Sequence, residues 1–351
     1  MSELMRRVDA RQLRSLGMVV AVAGACAVGA GAASGSLAGA KHSTDLVVFV
    51  VPRTGSVGAA LEVIDRSGHV LRVLSKAHFG TWAHWSPDDA SIAWEDPTGI
   101  YVEGADGSNP RQLVPTNTSC QSCAQLSFVW SPDSRSLTVG SAGAKGNQLQ
   151  LVPIDGSAPT VLVGSTDAQH VFTPSWWTPD GKSLVYGESR RTGIASAFLR
   201  TLTPATGKIV TLWSTPSARG FNAPYISHDL RYWAHVKELD QYHQQVRIVD
   251  KSTGRTYVVA GVNPTNLNGW APDSKTLGIT ASGGEILTVS PTGAILHRVG
   301  PGEQFVWGRD SSELFIYRAN YTQLYTSENG QPPRKFFQAP KHDWIVSLDA
   351  N

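Results

Sequence analysis

Four groups of side chains in this chain could do chemistry. The stretch HVKELDQYH places His235, Glu238, Asp240 and His243 close together. Imidazoles and carboxylates at short spacing can hold a divalent metal. The spacing matches no defined site, however, and polar residues are the rule in an exposed loop. Arg190 and Arg191 follow Glu188, and paired guanidinium groups can grip a carboxylate or phosphate through bidentate bonds. A solvated loop tip would carry the same residues. Trp176 and Trp213 stand beside connections between strands, where an indole could stack on a sugar or a peptide. Cys120 and Cys123 form a lone CxxC in a Thr/Ser/Asn-rich stretch. A zinc site needs two further ligands, and a redox motif needs a helix start after a strand. An oxidising compartment therefore favours a Cys120–Cys123 disulfide that clips the loop.

No complete catalytic constellation accompanies these residues. After residue 45 there is no G-x-S-x-G, no H-E-x-x-H, no P-loop and no dinucleotide-binding glycine pattern. Catalytic residues, a metal and a cofactor are accordingly not expected. The binding candidates are Trp176, Arg190, Arg191, Trp213, His235 and His243, all placed in or beside connections.

The elements that must position them repeat. Trp85-Ser-Pro-Asp, Trp130-Ser-Pro-Asp, Trp177-Thr-Pro-Asp, Ile226-Ser-His-Asp, Trp270-Ala-Pro-Asp and Trp307-Gly-Arg-Asp follow one another at steps of 45, 47, 49, 44 and 37 residues. Pro presets φ in the turn and Asp can bond backbone N–H groups just ahead of it. Each turn precedes a short apolar strand and then a Gly-bearing hairpin such as Asp106-Gly107 or Asp155-Gly156. A four-stranded unit of this kind cannot bury both faces alone. Six copies at this period predict an all-β fold, a β-propeller.

The two ends complete the count. Asp45 to Val51 and Leu61 to Leu74 match the second, third and fourth strands of the template, whereas Asp343 to Leu348 is a single strand. If that last strand completes the first blade, the ring has seven blades and a clasp between its termini, with no open edge left. Six blades result if residues 46–74 are only a flanking hairpin. The longest connections follow the second and fourth strands of the blades, and in a propeller these gather on one face around the channel mouth. Long loops on a rigid scaffold are where binding usually resides.

The chain has 351 residues, is 41% hydrophobic and 17% charged, and carries a formal net charge of +2. This is ordinary for a folded soluble body and excludes disorder. The near-neutral balance argues against a nucleic-acid partner. Arg6, Arg7, Arg11 and Arg14 precede an uncharged, Ala/Gly/Val-rich run from Leu16 to Ala40. A basic segment before an apolar run is an export signal. Residues 1–40 then form a signal segment and residues 41–351 the propeller domain. Three fates compete: cleavage after Ala38-Gly39-Ala40, lipidation of Cys26 in a lipobox-like Ala23-Gly24-Ala25-Cys26, or retention as a membrane anchor. All three place the body outside the cytoplasm, with membrane contact only through the N-terminal segment.

The wording of the repeat, W-[ST]-P-D-[GS] followed by IYVEGADGSNPRQL at 100–113, resembles the TolB-type propeller family over about residues 82–337. Related repeats also form the non-catalytic propellers of prolyl-peptidase-like hydrolases. The resemblance implies a propeller, an extracytoplasmic location and work by gripping other envelope proteins. The chain departs from that family in having only residues 1–45 before the first strand, where TolB has an α/β domain, and in its seventh blade. The matching Trp-x-Pro-Asp residues carry structure rather than function. The expectation is a monomeric, envelope-associated protein-binding scaffold. The alternative is a small-ligand or carbohydrate-binding propeller, or a lyase or hydrolase with its site at the channel mouth.

Overall fold

The computed structural model describes residues 46–52, 60–75, 83–96, 98–115, 127–143, 146–167, 170–190, 197–215, 224–240, 243–340 and 343–350. They form seven four-stranded antiparallel sheets. The second blade holds β4 (Ala83–Trp85), β5 (Ser91–Asp96), β6 (Gly99–Gly104) and β7 (Arg111–Pro115). The third holds β8 (Ser127–Trp130), β9 (Ser136–Gly143), β10 (Gly146–Pro153) and β11 (Thr160–Ser165). The fourth holds β12 (His170–Trp177), β13 (Leu184–Arg190), β14 (Ala197–Thr203) and β15 (Lys208–Thr215). The fifth holds β16 (Tyr225–Ile226), β17 (Tyr232–Glu238), β18 (Gln244–Asp250) and β19 (Thr256–Val258). The sixth holds β20 (Pro264–Trp270), β21 (Leu277–Ala281), β22 (Glu285–Val289) and β23 (Ile295–Pro301). The seventh holds β24 (Gln304–Trp307), β25 (Glu313–Arg318), β26 (Gln323–Glu328) and β27 (Arg334–Gln338).

The first blade settles the blade count at seven. Its strands β1 (Leu46–Pro52), β2 (Ala60–Ile64) and β3 (Val70–Ser75) are completed by β28 (Asp343–Ala350), in the order β28-β1-β2-β3. The register runs from Leu46 opposite Ala350 to Pro52 opposite Asp343. The clasp strand also grips the neighbouring blade. The Asp349 carboxylate accepts the Trp85 N–H at 2.9 Å and lies 3.3 Å from His84 Nδ1.

In every repeated turn the Asp carboxylate accepts the N–H two residues on, and in four of the six a Ser or Thr hydroxyl also donates to it. In Ser86-Pro87-Asp88-Asp89, the Ser86 hydroxyl donates to Asp88 at 2.6 Å, and the Asp88 carboxylate accepts the Ala90 N–H at 3.1 Å. The residue after Asp is left-handed in every turn: Asp89, Ser134, Gly181, Leu230, Ser274 and Ser311 have φ between 59° and 67°. The turns of successive blades then interlock. The N–H of Asp88 donates to the Ser134 hydroxyl, that of Asp229 to Ser274, and that of Asp273 to Ser311, each at 3.0 Å. The first blade supplies no such turn, because its inner strand is the last of the chain. Arg309 of the seventh blade fills that place, donating to the Asp89 carboxylate and to the Pro87 carbonyl.

The Trp of the repeat fills the wedge between blades. The indole N–H of Trp130 donates to the His84 carbonyl of the preceding blade at 2.9 Å, and Trp270 to Tyr225 at 2.9 Å. Trp307 does the same to Gly269 at 3.2 Å. Both faces of each blade are therefore buried, and the apolar clusters lie between blades rather than in one central core. Side chains that alternate along a strand serve two different wedges.

Candidate functional site

The connections after the second and fourth strands of each blade open at one end of the ring, opposite the interlocked turns. Strand direction in an antiparallel meander requires this. At that loop end, two clusters are well defined among the described residues.

The first lies in the seventh blade, between β25 and β26. Ala319, Asn320 and Tyr321 are all left-handed, with φ of 54°, 56° and 59°. A run of L-residues in this conformation costs roughly 1–2 kcal/mol each and persists only where the surroundings hold it. Glu303 supplies that hold. Its carboxylate accepts the N–H of Asn320 at 2.7 Å and of Tyr321 at 2.9 Å. The Tyr321 carbonyl in turn accepts the Ile345 N–H of the clasp strand at 2.7 Å. Tyr321 is 38% exposed, and its ring packs on that of Tyr317 at 5.6 Å. Partial burial and the Glu303 carboxylate push the Tyr321 hydroxyl above the usual phenol range, so it stays neutral and a hydrogen-bond donor. Burial does the same to Tyr317.

The second cluster spans the third and fourth blades. Glu188, 8% exposed, lies 3.0 Å from an Arg200 nitrogen and 3.4 Å from His170 Nδ1. His170 Nε2 also lies 3.7 Å from Asp167, and the Asn147 amide of the third blade donates to the His170 carbonyl. Arg200 stacks on Phe198 at 4.5 Å. The buried carboxylate thus has the Arg200 guanidinium as an ion-pair partner and the His170 ring beside it, which offsets its desolvation. This cluster ties two blades together.

The residues singled out from sequence are scattered. Trp176 is only 8% exposed and packs with Val185 and Ile226 between the fourth and fifth blades. Alternation puts Trp177 in one wedge and Trp176 in the other, which leaves no indole face for a ligand. Trp213 is half-buried on the outer strand β15, opposite Leu199. Arg190 closes β13 opposite His170. Arg191, the Cys120–Cys123 pair and Cys26 lie outside the described residues. His235 is half-buried on β17, and burial, aided by Arg247 and Lys237, holds its pKa below the ordinary imidazole value. His243 is exposed and pairs with Asp240 at 2.8 Å. His235, Glu238, Asp240 and His243 do not converge, and among the described residues no three His, Cys, Asp or Glu side chains gather as a metal site requires. Tyr321 and Glu303 were not legible beforehand. The only local signal was an Asn-Tyr pair in a short connection, which many turns share.

Solved structures of similar shape include an oligogalacturonate lyase in complex with manganese, at TM-score 0.55 and 14% identity, covering 84% of this chain and 86% of that one. A prolyl endopeptidase matches at TM-score 0.57 and 14% identity, covering 88% of this chain and 50% of that one. TolB from Acinetobacter baumannii matches at TM-score 0.46 and 11% identity, covering 84% of this chain and 79% of that one. No protein-family model matches the chain, and no curated protein is similar to it. Identities this low speak for the fold alone. The chain is a seven-bladed β-propeller with a clasp between its termini.

Proposed function

We propose that the protein is an extracytoplasmic, envelope-associated scaffold that binds another protein through the loop end of its ring. Residues 1–40 are its export segment, and the propeller is the binding body. The observation that carries this reading is the left-handed turn Ala319-Asn320-Tyr321. Its backbone is held against its own preference by Glu303 and the clasp strand, and it displays a half-exposed Tyr. A rigid aromatic on a preorganised turn suits a protein interface, because little conformational entropy is lost on binding.

The test is an in-cell crosslink and pull-down of the tagged full chain from solubilised envelope, read by mass spectrometry. One or two stoichiometric partner proteins, lost from Tyr321→Ala but retained by Tyr321→Phe, are the expected result. A bait that captures nothing stoichiometric overturns the scaffold reading. It would shift weight to a ligand-binding or enzymatic channel mouth.

A further inference from the structure

The first blade exposes an apolar outer edge. On β3, Val70 is 49% exposed, Leu71 51% and Val73 46%. Among the described residues, no other fourth strand exposes more than two large apolar side chains. The hairpins on either side flank this strand. That of the second blade meets it at Arg72, where a Cβ on Gly107 would lie 3.6 Å from the side chain. The first blade's own hairpin leans the other way, onto β27. A Cβ on its Gly68 would lie 2.2 Å from the Phe336 carbonyl. Charge along the edge is nearly balanced. Arg72 is paired with Glu103 and Arg66 with Glu313. Exposed Arg111, Arg334 and Lys335 stand at the starts of β7 and β27, and Asp65 and Asp106 in the two hairpins offset them.

This edge lies where the chain enters the ring. Leu46, the first residue of β1, pairs with Ile64, and Ile64 pairs with Val70. Two strand spacings, about 10 Å, therefore separate the entry point from the exposed edge. The uncharged run Leu16 to Ala40 ends six residues before Leu46. That length of chain reaches at most about 20 Å. Whatever surface receives the run is thus within reach of Val70 and Leu71. The second strand of a blade starts at the turn end of the ring, so the entry point lies opposite the Ala319-Asn320-Tyr321 turn.

We infer that the outer edge of the first blade rests on a lipid bilayer, with Val70, Leu71 and Val73 in the boundary between headgroups and acyl chains. The contact extends beyond the N-terminal segment, and it rests on the reading of residues 1–40 as a segment that holds the chain at the membrane. Aliphatic side chains gain by leaving water for that boundary. Three of them bind weakly alone, but a tether this short gives the edge a high effective concentration at the surface. The balanced charge makes the contact apolar rather than an attraction to anionic lipid. Entry at the turn end tips that end towards the bilayer and the Tyr321 turn away from it, where a partner meets it.

The experiment reconstitutes the purified full chain into phosphatidylcholine vesicles containing a phospholipid with a photoactivatable diazirine on its acyl chain. Irradiation and peptide mass spectrometry then locate the lipid adducts. Adducts are expected on residues 16–40 and on residues 70–73. None is expected at Val161 or Leu296, comparably exposed aliphatic side chains on other blades. Labelling of residues 70–73 should survive high NaCl. The double variant Leu71→Ser, Val73→Ser should lose the adduct at Val70 while its melting temperature and its labelling at 16–40 stay as in the parent. Leu296→Ser should change neither. An unlabelled β3 beside a labelled 16–40 overturns the inference and leaves the N-terminal reading standing; if neither is labelled, both fall. Labelling of β3 that disappears at high salt also overturns it, because basic side chains would then hold the lipid. Capture of a partner through Tyr321 is a separate readout that none of these outcomes alters.

Discussion

Blades five, six and seven are joined twice at each seam, whereas blades four and five are joined by neither device. At the 5/6 and 6/7 seams, the indoles of Trp270 and Trp307 donate to the preceding blade, and the turn N–H groups of Asp229 and Asp273 donate to Ser274 and Ser311. At the 4/5 seam the repeat offers Ile226 in place of Trp, and Leu230 in place of the turn Ser. Neither can form the bond. Trp176 enters the space from the other side, but its indole N–H finds no hydrogen-bond partner among the described residues. Among the described residues, the apolar cluster there has three buried members, with Leu199, Leu212, Leu230 and Trp233 packed against them. The contrast teaches that closure of the ring does not require uniform seams. A propeller held by its clasp and by well-bonded seams tolerates one seam that lacks both of these bonds.

The largest test of that contrast compares two equivalent glycines. Gly140→Ala forces a Cβ into a backbone carbonyl at 2.2 Å, which neither partner can yield without moving a strand. A loss of about 3 kcal/mol or more is expected. Among the described residues, a Cβ at Gly187 would meet only Thr173, at the ordinary contact distance of 3.9 Å. Gly187→Ala should be neutral or stabilise by about 0.4–1 kcal/mol, through the reduced freedom of the unfolded chain. Denaturant unfolding of the two variants checks the pair. Equal losses would mean that the 4/5 seam is as tightly packed as the 3/4 seam.

A smaller effect separates two tryptophans. Trp270→Phe removes the indole donor to the Tyr225 carbonyl, at an expected cost of about 1 kcal/mol or more. Trp176→Phe removes a buried N–H that has no partner among the described residues, so the gain from losing that donor offsets the lost volume. Its cost should stay under about 1 kcal/mol. Thermal melts of both variants decide it, and a Trp176 variant as damaging as the Trp270 one would show that the indole is bonded in solution.

How much of this was legible follows from where the information sits. The turns were readable because their chemistry is local: Ser86, Pro87 and Asp88 act within five residues, and the turn repeats six times. The clasp was readable because a lone strand at one end matched a missing strand at the other. The wedges were not. Which wedge a side chain enters depends on strand parity, and parity shifts at bulges such as that between Pro174 and Trp176. Trp176 read as a loop-side aromatic and proved to be packed between blades. His235 and Arg247 come from separate strands, and only the register of β17 on β18 sets them opposite each other. Tyr321 was hidden differently, since three left-handed residues depend on Glu303, which lies on the far side of β25 in sequence.

The smallest expected effect is a pH dependence confined to the 4/5 seam. Burial, then Arg247 and then Lys237, hold His235 below its ordinary pKa. The native state therefore binds fewer protons than the unfolded chain between that lowered value and about 6.5. Stability is full above about pH 6.5, falls as pH drops through this window, and levels off below the native pKa. The 4/5 seam should loosen with it, because protonation adds a third positive charge beside Arg247 and Lys237. Hydrogen exchange in phosphate-free buffer reads this locally: amides of β17 and β13 should lose protection between pH 7 and pH 5, while those of β21 and β25 hold theirs. His235→Gln should remove the difference between the two regions. Persistence of that difference in the variant would assign the pH response to another group.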